Sequence, residues 1–424
     1  MSRLFGTSGV RKRVEDLTDE FASDLGKALG SCIESKVAVG RDCRQSGPRL
    51  EKAFIGGLTS AGRNVVKVGL VPTPTVGVAT AELGCGVVVT ASHNPPEYNG
   101  FKFFDKRGAY GPEAEDEVEE LFRSKRFKTG RGSVKEADYV GAHIRLILAR
   151  VGEADGLKVL LDCAGGAGSV ITPMLLGRMG CEVEAVNVNR DGTFPHPLEP
   201  TADNLKDTCR LVEKAGVDIG FAHDGDADRT CAIGRDGRLI EWDTFLTVLA
   251  SGSKKVVTTV DASMRIEEFC DKVYRVAVGD VAVAEGIRKH KAGFGGEPSG
   301  TYIFPDVHIF PDGVAAVAKA TKLVADGTFY KLVKEIPSYP MERVKIPCQP
   351  QEKETIMDGL RKLLKGRTYS DVDGIRITED DGWILLRPSG TEDYVRITAE
   401  GKTKAALDIL VRQGKEWVKA ARQG

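Results

Sequence analysis

The stretch TASHNPPEYNGFKFF, Thr90 to Phe104, sets a hydroxyl, an imidazole and an ammonium within a dozen or so residues of one another. Small apolar residues, Gly86–Val89, read as a buried strand that stops at Thr90-Ala91-Ser92-His93-Asn94, where Pro95-Pro96 forbid further strand or helix. Ser92 is therefore expected on a rigid corner at the C-terminal end of a strand, the edge where open α/β sheets place their ligands. His93 is adjacent, and Lys102 follows a second turn at Asn99-Gly100. A polar turn with a capping serine would read the same way, so this stretch alone names no reaction.

The second motif is DGDADR, Asp224 to Arg229, behind the strand-like VDIGFAH. Three aspartates at alternate positions converge on one side of an extended loop, an arrangement that is electrostatically costly unless a cation occupies it. Oxygen-only ligands indicate a hard ion, Mg²⁺ or Ca²⁺. An EF-hand does not fit, because Arg229 and Arg235 stand where its glycine and bidentate glutamate belong. Three protein oxygens would leave Mg²⁺ open to a phosphate oxygen.

Two weaker constellations follow. In GGEPSG, Gly295 to Gly300, glycines permit close backbone approach while Glu297 and Ser299 offer acceptor and donor groups for vicinal hydroxyls. In RPSGTEDYVR, Arg387 to Arg396, arginine, hydroxyls and backbone N–H groups in a Ser-Gly-Thr turn make an anion nest that Arg396 can complete as a clamp. No P-loop is present: Gly401-Lys402-Thr403 lacks its upstream glycine, Arg396 standing there. The GGAGS turn, Gly165–Ser169, completes no dinucleotide fingerprint and reads as packing.

Elements must hold these groups in place, and 424 residues are too many for one core. KVAVGRD (Lys36–Asp42), KVLLD (Lys158–Asp162) and KVVTTVD (Lys255–Asp261) are each a buried-type strand ending in aspartate and leading to a turn and a helical pattern. This repeat predicts three related α/β domains with mostly parallel, covered sheets. The C-terminal stretches IPSYPMERVKIP, DGIRITEDDGWILLRPS and EDYVRITAEG predict a smaller α+β domain with antiparallel strands. The expected divisions are 1–135, 136–240, 241–338 and 339–424. Residues 113–128, rich in both charges, read as a solvated helix.

Composition narrows the function classes. Lys plus Arg number 60 against 61 Asp plus Glu, and no dense basic block occurs, so no nucleic-acid partner is expected. The start lacks an apolar signal region, and no apolar run approaches the ~20 residues of a membrane span. Nine dispersed cysteines without a C-x-x-C pair read as reduced thiols of a cytoplasmic protein.

Taken in order, the four motifs and GTSGVR (Gly6–Arg11) resemble the α-D-phosphohexomutase family over essentially the whole chain. The resemblance implies three related α/β domains plus a smaller C-terminal α+β domain around a central cleft, one motif per domain. It implies that Ser92 is a phosphoserine and that Asp224, Asp226 and Asp228 hold one Mg²⁺, completed by a phosphoserine oxygen. Glu297, Ser299 and Gly300 then belong to the sugar-reading loop, and Arg387, Ser389, Gly390, Thr391 and Arg396 to the phosphate site. Arg11, His93, Lys102 and Arg229 match positions lining the reacting phosphate. Lys102 is expected to move the sugar proton, with its pKa lowered by cationic neighbours. The implied activity interconverts hexose 6-phosphate and hexose 1-phosphate through a sugar 1,6-bisphosphate, in a monomer or homodimer whose C-terminal domain moves.

The RPSGTE form resembles the phosphoglucosamine branch of that family more than the RASNT form of the mannose/glucose enzymes, so glucosamine phosphate is the expected substrate and phosphomannomutase/phosphoglucomutase activity the alternative. Thr301 stands where many members carry histidine in the sugar loop, with His308 nearby in sequence. Two other classes share some of these features. Asp226-Ala227-Asp228-Arg229-Thr230 also fits the DxDxT nucleophile of haloacid-dehalogenase-type phosphatases, and a non-catalytic sugar-phosphate sensor would keep the pockets without needing Ser92.

Overall fold

Strands Lys36–Arg41, Lys158–Asp162 and Val256–Thr259, the three that end the repeated segments, each lie inside a separate sheet with a parallel neighbour on either side. The computed structural model in which they are seen describes residues 3–6, 9–390 and 392–423. In every sheet one parallel neighbour runs through a loop into an antiparallel strand. These pairs are Gly84–Val89 with Tyr98–Asp105, Ile219–His223 with Thr230–Ile233, and Phe294–Glu297 with Thr301–Ile303. The three connecting loops carry Ser92, the aspartate triplet and the Pro298-Ser299-Gly300 turn. Three copies of one topology therefore present three different chemistries from the same place in the fold.

The first sheet grows to seven strands by adding Val10–Arg13, Gly108–Ala109 and Val134–Glu136. Parallel pairing holds for the central strands as expected, and the antiparallel arms are the departure from it. The fourth sheet is wholly antiparallel, in the order Met341–Pro347, Tyr394–Gly401, Gly382–Pro388, Ile375–Glu379. Helices Glu352–Leu363 and Lys404–Gln423 accompany it.

The second and third sheets share one apolar core, running from Ile144 and Leu161 through Phe221 to Phe245, Phe294 and Tyr302. The first has its own, in which Phe54 stacks on Phe101 with ring centroids 4.9 Å apart. Burying each such ring is worth about 1.5–3 kcal/mol. The charged helix, Pro112–Ser124, is less solvated than its composition predicts. Val118 enters the core, and Glu119 Oε2 accepts the Leu4 N–H at 2.9 Å, so this face anchors the N-terminal segment. Among the described residues all nine cysteines are free, and no helix is long and apolar enough to cross a membrane.

The third and fourth sheets meet at Glu400, fully buried, which accepts hydrogen bonds from Ser263 Oγ, from Met264 N at 2.8 Å and from Trp383 Nε1 at 2.6 Å. Glu400→Gln would turn an amide N–H₂ toward donors. We expect it to destabilise this joint by about 2 kcal/mol, read as an earlier first transition in thermal denaturation.

Candidate active site

The Ser92 loop is held from below by a residue that its own sequence does not suggest. Arg44, 1% exposed, donates to the carbonyls of Ser92, Asn94, Pro95 and Tyr98 at 2.5–2.8 Å, and its Nε lies 3.1 Å from Asp42 Oδ2. Asp42 also accepts from Thr90 Oγ1 at 2.6 Å, and Thr90 Oγ1 accepts the Ser92 N–H at 2.9 Å. This ring of bonds keeps Ser92 in the left-handed region, φ 51°, a conformation a serine adopts only where its surroundings impose it.

Ser92 Oγ donates to Asp224 Oδ2 at 2.7 Å, joining the first domain to the aspartate loop of the second. The two loops touch at Gly225, where a Cβ would stand 2.7 Å from the Ser92 carbonyl oxygen. Asp224, Asp226 and Asp228 are buried, with one carboxylate oxygen of each lying within 4.8 Å of the others. Thr73 reaches across from the first domain, donating to Asp226 Oδ2 at 2.5 Å. Burial, and then Asp226 and Asp228, push the Asp224 carboxyl well up. Burial works on Asp226 too, but Lys102 and Thr73 hold it below the ordinary carboxylate range. Asp226 Oδ1 and Asp228 Oδ1 are buried with no hydrogen-bond partner among the described residues. Orphaned hard oxygens in an all-carboxylate set fit a divalent cation such as Mg²⁺.

Cations surround this triplet. Lys102 Nζ lies 2.7 Å from Asp226 Oδ2 and also pairs with Asp228. The expected lowering of its pKa is not what the surroundings produce. Burial lowers it, but Asp226 and Asp228 outweigh burial and Arg11, and the net direction is up. His93 goes the other way: burial, then Arg229, Arg11 and Lys102, bring it down to about 3, so the ring is neutral at neutral pH. Its Nδ1 is 3.4 Å from Ser92 Oγ. Arg11 donates to Asn94 Oδ1 at 3.2 Å.

Arg11, Lys102, Asp228, Arg229, Glu297, Ser299 and Thr301 together line a cleft of about 240 Å³. Arg229 forms a backbone bridge with Thr301, and Thr230 N donates to Gly300 O at 3.1 Å, so the aspartate loop and the sugar-loop motif are physically joined. Gly300, φ 88°, packs against Trp242, whose ring would lie 2.6 Å from a Cβ there. Burial, and then Asp280 and Asp261, push the Glu297 carboxyl up to about 8. Of the two candidates for the missing histidine, Thr301 lines the cleft. His308 instead accepts the Phe310 N–H at 3.2 Å on Nδ1, sits 3.0 Å from Asp312 and does not line this cleft.

The phosphate-loop residues do not reach that cleft in this conformation. Arg387 and Arg396 stand directly opposite each other on adjacent strands, and Lys345 continues the row on the next. Like charges so paired are destabilising without an anion between them. Arg387 Nε donates to Asp373 Oδ1 at 2.8 Å, and Asp373 Oδ2 accepts from Val278 N at 3.0 Å, which ties the arginine to a residue of the cleft wall. Ser389 Oγ accepts from Glu392 N at 3.0 Å, and Gly390 sits in open space. Thr391, named with them, lies outside the described residues.

Sequence reasoning missed Arg44, Thr73, Lys345 and Asp373. Only Asp42 carried a signal, as the end of a repeated strand.

The chain's similarity to known proteins follows the same four-part division. Phosphoglucomutase/phosphomannomutase α/β/α domains I, II and III match residues 2–129, 137–237 and 243–339, and the C-terminal domain of that family matches 344–413. A protein of Pyrococcus abyssi named probable phosphoglucosamine mutase is 41% identical, the match covering 99% of both chains. Another of that name from Methanopyrus kandleri is 43% identical over 95% of both. The crystal structure of a phosphoglucomutase/phosphomannomutase family protein from Burkholderia thailandensis superposes with a TM-score of 0.90 at 28% identity, covering 99% of this chain and 98% of that one.

Proposed function

The chain belongs to the phosphoglucomutase/phosphomannomutase family, and we propose that it interconverts glucosamine 6-phosphate and glucosamine 1-phosphate. The observation that carries this reading is the junction of Ser92 Oγ with the aspartate triplet, 2.7 Å from Asp224, beside a cleft lined by both cations and sugar-matching groups. The choice of amino sugar rests on the two relatives of that name.

In the proposed cycle Ser92 carries the phosphoryl group on Oγ. A hexosamine monophosphate enters with its free hydroxyl toward that group. The Oγ–P bond breaks as the sugar O–P bond forms, giving a 1,6-bisphosphate. That intermediate turns end for end, and Ser92 Oγ takes back the phosphoryl group from the other position. Asp224, Asp226 and Asp228 would hold Mg²⁺, one per chain, which when bound neutralises charge on the transferring group. Arg11, Lys102 and Arg229 hold the reacting phosphate, and neutral His93, its Nδ1 3.4 Å from Oγ, can donate its ring N–H there. As a charged ammonium Lys102 donates to phosphate oxygen. It can accept the sugar proton only where all three aspartates are engaged away from Nζ, leaving burial and Arg11 to act on it. Arg387, Ser389, Gly390, Thr391 and Arg396 clamp the phosphate that is not reacting, and closure of the fourth domain brings them to it.

The phosphatase reading, with Asp226 as nucleophile, leaves Ser92 Oγ and its left-handed corner without a task. We take the working unit to be a monomer or homodimer, divided near residues 135, 240 and 338, and its nine free thiols fit the reducing cytoplasm. Phosphorus NMR of the enzyme with Mg²⁺, a trace of sugar bisphosphate and each hexose 6-phosphate in turn tests the assignment. The expected result is a 1-phosphate resonance growing fastest from the glucosamine compound, and abolished by chelation. Faster conversion of mannose 6-phosphate would contradict it.

A further inference from the structure

Three parallel strands of the third sheet end on one edge, and each brings a carboxylate to it. Asp280 follows Val273–Val276, Asp261 follows Val256–Thr259, and Glu297 closes Phe294–Glu297. All three line the cleft, together with Arg11, Lys102 and Arg229.

The repeat shows how unusual this edge is. The aspartates that end the corresponding strands of the first two sheets are consumed internally. Asp42 holds Arg44 and Thr90, and Asp162 accepts from Ala164 N, Asn187 and Thr208 and lies 3.1 Å from His196. Both are fully buried. Asp261 has one hydrogen bond, from Thr259 Oγ1 at 2.6 Å, and faces the cleft.

None of the three carboxylates has an ion-pair partner within 4.0 Å among the described residues, although Glu297 is only 8% exposed. Glu297 Oε2 accepts from Gly279 N at 3.1 Å, and Oε1 takes no hydrogen bond from a described residue. Asp280 opens helix Asp280–His290, whose N-terminus favours one negative charge. It does not account for three. Carboxylates crowded into a sheltered wall are costly as anions unless a cation approaches them, and Lys102 and Arg229 only partly offset that cost at Asp280. The ligand that satisfies the cations and the carboxylates of this cleft at once carries a phosphate at one end and a positive charge on the ring.

We propose that Asp261, Asp280 and Glu297 receive the 2-ammonium group of a hexosamine phosphate, and that Asp261 and Asp280 set the preference for the amino sugar over its 2-hydroxy counterpart. This rests on the mutase reading above. It adds two specificity-determining residues to the sugar-loop glutamate.

The test is kcat/KM for glucosamine 6-phosphate and glucose 6-phosphate, with the competitive inhibition constant of the poorer substrate, in the wild type, Asp280→Asn and Asp261→Asn. Asparagine keeps the shape and removes the charge, and activity on the neutral sugar reports that the variant is folded. The amino-sugar preference is expected to fall at least about tenfold in Asp280→Asn, with glucose 6-phosphate changed less than about threefold. An equal loss on both sugars would overturn the proposal. So would a Mg²⁺ titration in which the wild type binds a second equivalent that Asp280→Asn lacks, because the arc would then be a metal site. A wild type inactive on glucosamine 6-phosphate but active on another hexose phosphate would instead overturn the substrate reading beneath it.

Discussion

Ser92→Ala is expected to lower turnover by at least about 10⁴-fold, the scale on which removal of a covalent carrier is felt. Alanine keeps the corner, since Arg44 grips backbone carbonyls and the Thr90 bond is to the Ser92 N–H. What is lost is Oγ and its 2.7 Å bond to Asp224. The aspartate oxygens that would hold the cation are untouched, so Mg²⁺ binding should persist within a few-fold. Turnover by phosphorus NMR and Mg²⁺ affinity by calorimetry separate the two effects. A variant retaining a tenth of the activity would remove Ser92 from the mechanism.

The second large effect is expected at Arg44, which touches no substrate. Arg44→Met leaves Asp42 buried without its cation and four carbonyls without their donor. Breaking one side of a buried pair costs about 3–5 kcal/mol, and the lost hydrogen bonds add to it. The Ser92 corner should then relax from its left-handed conformation, and turnover should fall with stability. Pairing Arg44→Met with Asp42→Asn removes the orphaned charge and should recover part of the stability but not the turnover, because the carbonyls remain unheld. Denaturation midpoints alongside kcat test this. Wild-type midpoints in Arg44→Met would show that the ring of bonds is incidental.

Ser92 and the aspartate triplet were legible because their local sequence is self-explanatory: prolines force the corner, and alternating aspartates declare a cation. The three α/β units were legible through strands Lys36–Arg41, Lys158–Asp162 and Val256–Thr259. That each chemistry-bearing loop turns back into an antiparallel strand was not. Arg44 escaped because its partners lie about fifty positions along the chain, and Thr73 because its partner Asp226 is in another domain. Asp42, at the end of a repeated strand, is the one local sign near Arg44, and nothing around Thr73 signals its bond. The direction of the Lys102 shift failed for a related reason. The motif logic counted the cations that share its task, whereas the fold sets Nζ directly on two carboxylates. Asp280 belongs to no recognised motif and becomes visible only when three strand ends are seen on one edge.

The central claim is that Ser92 carries the phosphoryl group. Intact mass and peptide mapping after incubation with Mg²⁺ and glucosamine 1,6-bisphosphate test it most directly. The account predicts one added phosphate, on the peptide containing Ser92, that disappears on incubation with excess hexosamine monophosphate. An acid-labile phosphate on Asp226, or no phosphate at all, would contradict it.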